Sequence, residues 1–91
     1  MDNSTKVRLV ASLYCDFLNQ YLYLEEDLHK AQNPAEFNKR CDKMQELRIT
    51  YIDPLENILH HLGVSAVKEE CGLIKVKYDD GTACGWKKGW F

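Results

Sequence analysis

The chain is expected to fold as an α+β protein: an antiparallel helical hairpin, its second helix kinked at Pro54, followed by a small C-terminal antiparallel β-hairpin. Three observations predict this. Apolar residues recur at heptad spacing through residues 5–62, Asn33-Pro34-Ala35-Glu36 interrupts that pattern with a helix start, and Ile74, Val76 and Tyr78 then alternate with lysines.

The first helix is expected over residues 5–30. Val10, Tyr14, Phe17, Tyr21, Leu24 and Leu28 step by four and three, the stripe that one helix face makes. Leu9, Leu13, Leu18 and Leu22 form a second row beside it, wide enough to touch more than one neighbour. Asn33 is placed to cap the second helix, Pro34 takes the first helical position, and Glu36 takes the capping-box site. The stripe resumes at Phe37, Cys41, Met44, Tyr51, Leu55, Ile58 and Leu62, widened by Leu47, Ile52 and Leu59. The short break between the helices predicts an αα-hairpin.

Asp53-Pro54 lies inside the second stripe. Proline removes one helical hydrogen bond and crowds the preceding turn, so a kink is expected near residues 50–53. Gly63 supplies the C-terminal cap. Residues 64–72 read equally as a strand or as a further helical turn.

The tail, residues 72–91, is expected to be a hairpin turning at Asp79-Asp80-Gly81. A three-residue loop pairs Tyr78 with Thr82, Val76 with Cys84 and Ile74 with Trp86, which gathers the apolar side chains on one face.

The whole chain, residues 1–91, reads as one domain. Its formal charge of −2 disfavours general affinity for polyanions. The charge is uneven: residues 1–71 carry a net −4, and residues 72–91 a net +2. No apolar run reaches membrane-spanning length and the start is not a signal peptide, so a cytoplasmic protein with reduced cysteines is expected.

Cys71, Cys84, His60 and His61 are the natural metal candidates, yet Cys-x-x-Cys and His-x-x-x-His spacings are missing. No metal, no cofactor and no catalytic constellation is expected, and the chain reads as a non-enzyme.

The candidate contact surface is the tail itself. Lys75, Lys77, Trp86, Lys87, Lys88, Trp90 and Phe91 mix basic and aromatic side chains, a composition suited to gripping a partner. The alternative is that these rings fold back and cover the end of the hairpin. The expected function is a protein-binding module, a small adaptor or an inhibitor of a larger assembly, including one carried by a mobile element. A nucleic-acid-binding module using the same basic-aromatic tail ranks second. The width of the helical faces predicts a homodimer closed as a four-helix bundle.

The run at residues 55–64, LENILHHLGV, with the strand-rich tail after it, resembles in layout the GrpE-type nucleotide exchange factors. Those proteins join long helices and a helical bundle to a small β-domain. The likeness implies the order of elements, helix and then β, and no function is carried over from it.

Overall fold

The structure, a computed structural model, describes residues 3–89. Helix α1 spans Asn3–Leu28, and a short loop leads to α2 at Pro34–Leu47. Asn33 caps α2 with its side-chain oxygen, which accepts from the Glu36 amide at 2.8 Å. The Glu36 carboxylate reaches back to the Gln32 amide at 3.2 Å. Both contacts satisfy amides that the first helical turn leaves open.

The second helix continues from α2 through a π-helical turn, Arg48–Ile52, into α3, Asp53–His61. The disruption expected at Pro54 takes this form. The Pro54 ring would crowd the carbonyl four residues back, and a π turn loosens the winding there. The Asp53 amide consequently bonds to the Arg48 carbonyl, five residues behind it. Leu62 and Gly63 (φ 83°) then close α3, with the Gly63 amide on the His60 carbonyl.

The two helical arms run antiparallel. Arg40 pairs with Asp27, the Arg48 guanidinium lies 5.9 Å from the Tyr21 ring centre, and Phe17 stacks on Tyr51 at 4.5 Å.

Three strands follow, β1 at Val64–Glu70, β2 at Leu73–Tyr78 and β3 at Ala83–Lys87, in the order β1-β2-β3 and all antiparallel. The segment left open between helix and strand is therefore a strand, and the expected hairpin is part of a three-stranded sheet. The β2–β3 register is the expected one, with Ile74 opposite Trp86 and Val76 opposite Cys84. The Tyr78 amide bonds to the Thr82 carbonyl, and Gly81 sits at φ 88°. The β1–β2 turn is Cys71-Gly72, both at positive φ, as a type I′ turn requires.

A bulge at Ser65 shifts the β1 register between Val64 and Ala66. It lets both Val64 and Val67 face inward.

The core lies where α1, α3 and the sheet meet. Val7, Ala11 and Cys15 from α1 pack with Leu59, Val64, Ile74, Val76 and Trp86, all 5% exposed or less. Val7, Ala11 and Cys15 are spaced by four and form one row along α1. That row, and not the Val10–Tyr14 stripe, is the sheet-facing one. Val10 and Tyr14 are half-buried at its side.

Candidate functional site

The sheet sorts the tail residues by alternation. Side chains at Ile74, Val76 and Trp86 point inward, so those at Lys75, Lys77 and Lys87 point outward. Lys68 of β1 stands directly across from Lys75 and joins them. The outer face thus carries four exposed lysines around Ala66, Ala83 and Gly85. A Cβ at position 85 would meet the Ile74 carbonyl at 3.2 Å, so glycine keeps the strands close there. Glu70 is the acidic group among them, 3.6 Å from the Lys68 ammonium and 3.5 Å from that of Lys75. The two ammonium groups hold its carboxyl below the usual range, Lys68 first. Sequence reasoning missed Lys68, because its strand was undecided.

Trp86 is not on that surface. It is 5% exposed within the core, and the Arg8 guanidinium lies 5.8 Å from its ring centre. This corrects the reading of the tail as one basic-aromatic strip, because alternation sends the tryptophan and the lysines to opposite faces. Lys88 also turns inward. Its ammonium bonds to Asp16 of α1 at 2.9 Å and to Glu69 of β1 at 3.2 Å, while Glu69 accepts from Asn19. The bond to Asp16, above all, raises the Lys88 pKa. Lys88 is thus a clasp between the sheet and α1. Trp90 and Phe91 lie outside the described residues.

His60 and His61 serve local backbone. His61 Nδ1 lies 2.7 Å from the Asn57 carbonyl, and His60 Nδ1 lies 3.1 Å from the Val64 carbonyl. His60 borders a hollow of ≈ 190 Å³ with Tyr14, Glu56 and Ser65. A serine, a histidine and a glutamate at one hollow invite comparison with a hydrolytic triad, but the bonding pattern differs. His60 turns Nδ1 to Val64 and Nε2 toward Glu56 at 3.6 Å, and Ser65 Oγ donates to the Lys77 carbonyl at 3.1 Å. A triad needs one imidazole nitrogen on the hydroxyl.

The four cysteines are free. Cys15 is 2% exposed, and burial pushes its thiol up to about 11, the range of an inert core group. Cys71 is exposed at its turn, and Cys84 is exposed on β3 with its thiol 3.6 Å from the Tyr78 hydroxyl. Among the described residues, no three His, Cys, Asp or Glu side chains converge as a metal cluster.

The second candidate surface is apolar. Leu9 and Leu13 are 45% and 42% exposed, and they point about half a turn away from Val7 and Ala11. Across the hairpin, Tyr51 and Ile58 are 46% and 45% exposed, with Phe17 and Leu55 half-buried between. The sheet therefore covers one side of the α1–α3 layer and leaves the other bare. Among the described residues no helix is long and apolar enough to cross a membrane.

Comparison with known proteins gives no match: no family model fits the chain, and no curated protein or solved structure is significantly similar to it.

Proposed function

We propose that the protein is a non-enzymatic protein-binding module, acting as a small adaptor or as an inhibitor of a larger assembly. The observation that carries this reading is the bare side of the α1–α3 layer. Four large apolar side chains there, Leu9, Leu13, Tyr51 and Ile58, each keep more than two-fifths of their surface in water. Apolar patches of this kind, rimmed by polar groups, mark contact sites in soluble proteins. At the hollow beside His60, the imidazole Nδ1 faces the Val64 carbonyl and the Ser65 hydroxyl donates to the Lys77 carbonyl, so the two are not paired with each other.

The lysine face of the sheet is a second, polar surface. It favours an acidic partner through Lys68, Lys75, Lys77 and Lys87. Nucleic acid is the second reading for that face, supported by its four exposed lysines. The tryptophan that would stack bases is in the core, which leaves only phosphate contacts for the described residues.

The test is capture from the native host's lysate, with and without nuclease. Wild type is run beside Leu13→Glu and beside Lys75→Ala/Lys77→Ala/Lys87→Ala. A stoichiometric protein that survives nuclease and is lost with one variant supports the module. Recovery of nucleic acid alone, lost with the lysine variant and falling steeply with salt, replaces it with the second reading.

A further inference from the structure

The bare apolar face raises the question of what covers it, and the dimensions of the molecule supply an answer. The chain measures 48 × 25 × 23 Å with a radius of gyration of 15.2 Å. A compact chain of this length has a radius of roughly 12 Å. Its accessible surface is 6403 Å². A folded monomer of the same mass exposes roughly 5,500 Å². The excess, on the order of 900 Å² over the whole elongated chain, leaves room for an interface of standard size, roughly 800 Å² per partner.

Resting on the protein-binding reading above, we propose that a second copy of this chain closes the face formed by Leu9, Leu13, Phe17, Tyr51, Leu55 and Ile58. The two helical layers meet across a twofold axis as a four-helix bundle.

Three features favour this occupant. A twofold contact places each patch against itself, so a charge near the axis would face its own copy. None of these six side chains is charged. The contributing helices already lie antiparallel in one layer, the arrangement from which two layers build an up-down bundle. The sheet stands on the opposite side of that layer, so pairing leaves both lysine faces exposed and the core around Trp86 untouched.

Sedimentation of the intact chain over roughly 1–200 µM, spanning the micromolar range of ordinary affinities, tests the proposal. The expected species has twice the 10.6 kDa mass of one chain. Its melting temperature should rise with concentration, as mass action requires of a dimer. Leu13→Glu combined with Ile58→Glu should give a folded monomer, whereas Leu22→Glu, an exposed apolar site off the patch, should leave the dimer intact.

A wild type that stays at one chain's mass, with a concentration-independent melting temperature, overturns the proposal even if the double variant does not fold. A dimer that survives the folded double variant also overturns it, because another surface then joins the chains. A monomer that still captures a lysate protein through Leu13 removes self-association and keeps the binding-module reading. A Leu13-dependent dimer that captures nothing from lysate keeps the pairing and removes the adaptor or inhibitor role.

Discussion

The two sides of the α1–α3 layer are built from similar residues and end in opposite states. On one side Val7, Ala11 and Cys15 are at most 2% exposed beneath the sheet. On the other, Leu9 and Leu13, which are larger and more apolar, stay more than 40% exposed. Hydrophobicity alone does not decide which row is buried. The sheet approaches α1 where the side chains are small, because alanine, valine and cysteine let backbones come close. The larger leucines are left for something more distant, and a helix of another chain has that reach.

The same contrast recurs along a single row. Continuing the Val7–Ala11–Cys15 row toward the far end of the hairpin brings up Leu22. It is 49% exposed, beyond the point where Asn19 meets Glu69 at the sheet's margin. In the hairpin beyond the sheet, Met44 and Ile52 are the buried hydrophobics among the described residues. The sheet end completes its own core, whereas the helical arms complete theirs only in part.

The largest effect is expected on the covered side of the layer. Trp86→Ala should cost about 3–5 kcal/mol, the usual loss for a core aromatic, and should abolish cooperative thermal unfolding in so small a domain. A variant that melts like wild type would show that the tryptophan is a surface group after all. Next in size is the neighbouring pair Leu59 and Ile58, 2% and 45% exposed. Leu59→Ala should cost about 2–5 kcal/mol at any protein concentration. Ile58→Ala should destabilise the dilute chain by less than about 1 kcal/mol. Denaturant melts at two concentrations separate these cases.

The buried thiol gives a pH prediction. Cys15 ionises near 9.0 when free and at about 11 when folded, so the native state resists losing the proton that the unfolded chain gives up. Its contribution to stability is complete below pH 9 and is lost as pH rises toward about 11. Cys15→Ala should flatten that part of the stability profile. An unchanged alkaline slope would place the titration elsewhere, at Tyr14 for instance, whose pKa burial also raises. Smaller still is Asn33→Ala, which removes the α2 cap and should cost about 1 kcal/mol by chemical denaturation. At the bottom of the scale, Lys75→Ala should change stability by less than about 0.5 kcal/mol, because its pair with Glu70 lies exposed to solvent.

Much of this arrangement was legible in the residues. The Asn33 cap, the Gly63 stop and the β2–β3 register each follow from local chemistry that tertiary contacts did not override. Other features were hidden for identifiable reasons. The Val7–Ala11–Cys15 row is weakly hydrophobic, so the heptad stripe beside it draws the eye. Strand β1 was ambiguous because its turn uses Cys71 at φ 52°, where asparagine is the usual signal. With β1 undecided, Lys68 had no face, and the outer lysine surface could not be assembled. The disruption at Pro54 was foreseeable, but its form as a π turn depends on how the two arms pack.

Whether a second copy of the chain covers the bare face is read most directly from solvent accessibility at individual methyl groups. With leucine, valine and isoleucine methyls labelled, NMR in the presence of a soluble paramagnetic agent reports which groups meet water in concentrated protein. Leu9, Leu13 and Ile58 should be shielded nearly as well as Leu59, while Leu22 and Leu73 are bleached. Leu9, Leu13 and Ile58 bleaching as strongly as Leu73 would contradict it.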